Sequence, residues 1–182
     1  MLTSIAKFND VIGTDDDLKD FRKAGGKMIT YHGLADTLIP PRGTYHYYNS
    51  VLQGNYKETQ KFYRYFPYPG NGHCGGVGAP ASAGVGAPQI NGEALFTALV
   101  NWVEHGVEPD YIVASQTTPA PVSRTRKVCM YPNAPVYNGS GSTDDQASFH
   151  CEEQKKDDLI DTLTLGRQFE TSTKANTDPS SD

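Results

Sequence analysis

Lys27-Met28-Ile29-Thr30-Tyr31-His32-Gly33-Leu34-Ala35-Asp36 is a short β-prone run that closes on a glycine and carries a carboxylate a few residues past its end. Its nearly continuous apolar character suits a buried strand of a parallel sheet, since a half-exposed strand would alternate apolar with polar. Just upstream, Asp15-Asp16-Asp17 precedes Leu18 and Phe21, and Gly25-Gly26 follows. That spacing predicts a short helix over 16–24 with an acidic start and a glycine stop. Downstream, Pro40-Pro41 punctuates a loop, and Tyr45, Tyr48, Val51 and Leu52 share one helical face that ends by Gly54.

Lys61 to Phe66 is a second strand candidate, rich in aromatics and bounded by Pro67, Pro69 and Gly70. The glycine-rich run 75–86 cannot build a core and reads as a surface loop. Ile90, Ala94, Leu95, Ala98, Leu99, Trp102 and Val103 then recur at helical spacing, with His105-Gly106 and Pro109 as stop signals. The order strand, helix, strand, helix predicts an α/β fold with a parallel sheet and flanking helices over residues 1–115. Residues 116–151, rich in Pro, Gly and Ser, read as an irregular extension. Residues 152–182 read as a polar, largely disordered tail with a possible short helix at 159–169. At 182 residues, one compact unit is expected.

Composition removes several classes of function. A net charge of −5, with no basic cluster beyond Arg124-Thr125-Arg126-Lys127, leaves little to neutralise a phosphate backbone, so nucleic acid is not an expected partner. No run approaches the roughly 18 apolar residues of a membrane span, mean hydropathy is −0.55, and Met1 to Lys7 lacks the pattern of a secretory signal. His46, His105 and His150 have no second ligand at metal spacing, and Asp144-Asp145 lacks the further carboxylates of a calcium loop, so no metal site is expected. Three cysteines, Cys74, Cys129 and Cys151, leave one without a partner in the chain.

Asp36 follows the first strand and His73, in Pro69-Gly70-Asn71-Gly72-His73, follows the second. In open α/β sheets reacting groups gather beyond the carboxyl ends of the strands. An acid followed by a histidine is the back half of the Ser, Asp, His order of α/β-hydrolases, in which the imidazole moves the serine proton and the carboxylate orients the imidazole. An Asp after a strand is also a common turn residue, and a glycine-flanked His a common loop residue. No serine has the Gly-x-Ser-x-Gly setting of a nucleophile elbow. Ser140 follows His73 and has Asn138 at the first glycine position, while Ser4, ahead of Asp36, has no glycine beside it. His32 reads as a strand-end residue packed beneath the acid loop rather than a second base. Tyr45, Tyr47, Tyr48, Tyr63 and Tyr65 could line a phenolic pocket, although packing comes first for aromatics at such spacing.

Residues 17–41, from Asp17-Leu18 through His32-Gly33-Leu34-Ala35-Asp36 to Pro40-Pro41, resemble the acid-bearing segment of the tannase and feruloyl esterase family. Further segments agree in order: Phe62-Tyr63-Arg64, Pro69 to Gly76, Ala98 to Gly106, and Tyr131 to Cys151 with Gly139-Ser140-Gly141-Ser142-Thr143-Asp144-Asp145. The resemblance covers roughly residues 12–151 and implies the C-terminal portion of an α/β-hydrolase fold. It also implies a serine esterase acting on phenolic-acid esters such as gallates or ferulates, with Asp36 as acid and His73 as base. The nucleophile segment, the oxyanion hole and the lid with its calcium site precede the acid in that family and are not expected here. No cofactor is therefore expected in this chain. The resemblance pairs Cys74 with a cysteine beside the absent serine, leaving Cys129 and Cys151 for an internal disulfide, and implies an extracellular setting. Asn138-Gly139-Ser140 fits an N-glycosylation sequon. The rival expectation is a non-catalytic secreted binding or decoy module that retains a hydrolase-like remnant.

Overall fold

The computed structural model describes residues 15–52, 55–73, 88–116 and 124–154. In chain order these form α1 (Lys19–Lys23), β1 (Met28–Gly33), α2 (Pro41–Leu52), α3 (Tyr56–Thr59), β2 (Tyr63–Tyr68), α4 (Gly92–His105), β3 (Tyr111–Ser115), β4 (Thr125–Cys129), β5 (Asn133–Tyr137) and β6 (Phe149–Glu153). The cysteine expected to bridge to an absent segment, Cys74, lies outside the described residues, as do Ser4 and the tail from 155 onward.

Strands β1 and β2 pair in parallel, with Met28 opposite Tyr63 and Gly33 opposite Tyr68. All six residues of β2 are buried, which accounts for its aromatic-rich run. Its span lies two residues beyond the expected one. The Phe62 N–H bonds Thr59 O and closes a turn after the unforeseen helix α3, while Pro67, expected to end the strand, sits inside it opposite His32. Helix α4 matches its expectation closely. The Asn91 side chain accepts the Ala94 N–H at its start, and Gly106, at φ +68°, ends it in the left-handed conformation that glycine alone adopts without strain.

The parallel ladder is confined to these two strands among the described residues, because the other two ladders are antiparallel. β3 pairs with β4 and β5 with β6, so the described residues 124–151 are more ordered than their composition suggests, and the first of these ladders crosses the expected boundary at 115. The strand in Thr125-Arg126-Lys127-Val128 is masked by its charges. Lys127 lies over the Tyr111 ring and donates through Nζ to Phe149 O, so its stem packs while its head is paired. Cys129 and Cys151 form the disulfide that joins β4 to β6. By the chain-entropy relation such a loop contributes about 3 kcal/mol.

Two apolar clusters hold the strands. Tyr48, Phe62, Tyr63, Tyr65 and Tyr131 form one, and Phe66, Tyr68, Ile112, Ala114, Val128 and Met130 the other. The Tyr131 N–H donates to Tyr65 O and carries the segment after β4 onto the free side of β2. Arg64, buried in β2, stacks on Trp102 of α4 and pairs with Asp110 at 2.8 Å and with Glu108. These contacts fix the end of the helix against the sheet.

Candidate active site

Beyond the carboxyl ends of β1 and β2 the chain makes two loops that are stitched backbone to backbone. The Leu34 N–H donates to Tyr68 O and the Ala35 N–H to Asn71 O, each at 2.9 Å. Gly33 permits this approach: a Cβ there would lie 2.3 Å from Asn71 O, a backbone atom that cannot swing away. The two loops therefore present their polar side chains to one another.

Within this junction His73 Nδ1 lies 2.9 Å from Asp36 Oδ2. Because a carboxylate accepts, Nδ1 donates and carries the hydrogen, which leaves Nε2 as the nitrogen able to exchange a proton with a reacting group. No described residue makes a hydrogen bond to that nitrogen. The Asp36 side chain is only 6% exposed whereas that of His73 is 43% exposed, so the orienting acid is enclosed and the imidazole faces outward. The other carboxylate oxygen, Oδ1, accepts the N–H groups of Leu38 and Ile39 at 2.9 Å each. Burial opposes the Asp36 charge most strongly, but the Ile39 N–H, the His73 ring and the Leu38 N–H together outweigh it and hold the carboxyl at about 2.

His32 lies under the acid loop as expected and is linked more closely than packing alone requires. Its Nε2 is 3.0 Å from Ile39 O and 3.3 Å from Asp36 Oδ2, and its Nδ1 is 2.7 Å from Thr44 Oγ1 on α2. Sequence spacing carries no signal for Thr44, since the contact spans twelve positions across a proline-marked loop. Tyr48, Tyr63 and Tyr65 turn inward and pack with Tyr131, so packing is what these three of the candidate pocket tyrosines do. Burial pushes their phenols up. Tyr47 donates its hydroxyl to Asp15 O.

No group of three His, Cys, Asp or Glu side chains among the described residues could hold a metal ion. Asp144 pairs with Arg124 at 2.9 Å and Arg126 at 3.4 Å, so its charge is already answered. Asn138 is exposed at the end of β5; its Nδ2 donates to Ala147 O, and its Oδ1 lies 2.6 Å from His150 Nδ1. No helix among the described residues is long and apolar enough to cross a membrane.

Known proteins share sequence and fold with this chain. A family model described as tannase and feruloyl esterase matches residues 1–152. A probable feruloyl esterase B-2 of Neosartorya fischeri is 38% identical over 147 residues, which is 75% of this chain and 28% of the relative. The crystal structure of feruloyl esterase B from Aspergillus oryzae superposes with a TM-score of 0.64 at 32% identity, covering 76% of this chain and 29% of that one. A tannin acyl hydrolase from Aspergillus niger has the same fold, with a TM-score of 0.70 at 24% identity over 90% of this chain and 29% of its own. The chain thus spans less than a third of the length of each of these proteins.

Proposed function

Since the chain belongs to the tannase and feruloyl esterase family, we propose that it supplies the acid and base of a carboxylic ester hydrolase acting on phenolic-acid esters by a Ser-Asp-His mechanism. His73 takes the proton of an attacking serine and returns it to the departing alcohol. Asp36 holds the ring in the tautomer that leaves Nε2 free and stabilises the imidazolium as it forms. The observation that carries the reading is the 2.9 Å contact between His73 Nδ1 and the enclosed Asp36 Oδ2 at the ends of two parallel strands.

The serine comes from outside the described residues, since none of the serines within them bonds His73. Cys74, directly after the base, bonds a cysteine beside that serine. The disulfide between Cys129 and Cys151 favours an oxidising, extracellular setting, in which the exposed Asn138 would carry a glycan. Turnover of a phenolic-acid ester by the product of the complete reading frame tests this. Asp36→Asn should lower kcat by about 10⁴-fold and His73→Ala by on the order of 10⁶. Undiminished turnover in His73→Ala would overturn the reading. The 182-residue chain alone should give no burst from an activated phenolic ester. A burst that His73→Ala abolishes would place the nucleophile inside it.

The lack of a serine partner for His73 among the described residues also favours a second reading, a secreted module that binds without turning over. An in-frame Cys-Ser pair encoded ahead of Met1 would exclude it.

A further inference from the structure

The acid of this site has two histidines on one oxygen. Asp36 Oδ2 meets His73 Nδ1 at 2.9 Å and His32 Nε2 at 3.3 Å, while Oδ1 is occupied by two backbone N–H groups. Both neighbours of His32 Nε2, Asp36 Oδ2 and Ile39 O, can only accept, so Nε2 must carry the hydrogen. Ile39 closes a ring of contacts: its N–H binds Asp36 Oδ1, and its carbonyl accepts from the same Nε2 that reaches Asp36 Oδ2. On the far edge of the imidazole Thr44 holds Nδ1 at 2.7 Å and fixes the plane of the ring. The His32 side chain is 11% exposed, so water has little access to replace these bonds.

We propose that His32 is a positioning residue of this site: by donating from Nε2 to Ile39 O, with Asp36 Oδ2 only 3.3 Å from the same nitrogen, it fixes the turn whose N–H groups hold the carboxylate so that Oδ2 faces His73. The inference rests on the reading of Asp36 and His73 as an orienting pair. Without the His32 donor Ile39 O loses its partner and the turn that anchors Oδ1 loosens, so the proton between Asp36 and His73 becomes more exposed to exchange.

The test is proton and ¹⁵N NMR of the full chain labelled in its histidines. The expected wild-type spectrum has a hydrogen on His32 Nε2 and a low-field Nδ1 proton on His73. In His32→Leu that His73 proton should exchange with water about tenfold faster, the factor expected for one lost buried hydrogen bond. His32→Gln, whose amide nitrogen can donate to Ile39 O in the place of Nε2, should restore slow exchange. Unchanged exchange in His32→Leu, failure of His32→Gln to differ from it, or a wild-type His32 protonated on Nδ1 alone would overturn the proposal. Should His32→Leu fail to fold, the wild-type tautomer and His32→Gln still decide. Absence of the low-field His73 proton from the wild type would instead remove the Asp36–His73 pair itself, and the proposed function with it.

Discussion

Removing the disulfide, by Cys129→Ala with Cys151→Ala, should cost this chain a readable share of its stability. The bond closes a loop whose ends are 22 positions apart and ties β4, which pairs with β3, to β6, which pairs with β5. With that separation the chain-entropy relation gives about 3.4 kcal/mol at 25 °C, all of it from the freedom returned to the unfolded chain. Cys129 is also buried, and trimming its sulfur from the core adds a loss on the order of 1 kcal/mol. Urea unfolding followed by tryptophan fluorescence suits the measurement, because Trp102 is 2% exposed and reports on the α4 side of the sheet. With a slope of about 1–3 kcal/mol per molar urea, the combined loss of about 4.4 kcal/mol should lower the midpoint by about 1.5–4.5 M. Reduction of the wild type should give nearly the same shift. A loss below about 1 kcal/mol in both would refute the reasoning, since it would mean that the two hairpins already restrict the unfolded chain or contribute nothing to the cooperative unit.

Gly33→Ala should separate the two site loops, because its methyl cannot occupy space 2.3 Å from Asn71 O. The low-field His73 proton should disappear while the circular dichroism of the helices persists, and retention of that proton would show that the loops can yield. Lowering the pH tests the Asp36 carboxylate. Its folded value of about 2 lies below its ordinary 3.8, so its stabilisation is complete above the ordinary value and is lost as pH falls through about 2. Urea midpoints between pH 5 and 2 should therefore fall more steeply for the wild type than for Asp36→Asn, and parallel slopes would contradict the bonding described for this carboxylate.

Much of the molecule is written in local pattern. The acidic start and glycine stop of α1, the apolar run of β1, and the periodic face and left-handed Gly106 of α4 are properties of neighbouring residues, so spacing alone places them. The two candidate site residues, Asp36 and His73, were legible for the same reason, each standing just after a strand signal. β4 was not legible, because the strand there depends on a charged side chain whose stem covers Tyr111 and whose amine is answered by Phe149 O, partners far along the chain. Pro67 likewise marks the inside of a strand only once its neighbour β1 is in place.

By itself the sequence determined which carboxylate and which imidazole follow the first two strands and the order in which the chain presents them. Only the tertiary structure decided that they meet. The parallel register that sets Gly33 against Tyr68, the bond from Ala35 to Asn71 and the space left by a missing Cβ bring Asp36 within 2.9 Å of His73. It also decided that Thr44 closes on His32 behind the acid. Hydrogen bonds between residues distant in sequence leave no periodicity to read, since their geometry is fixed by the packing of whole elements rather than by adjacent side chains.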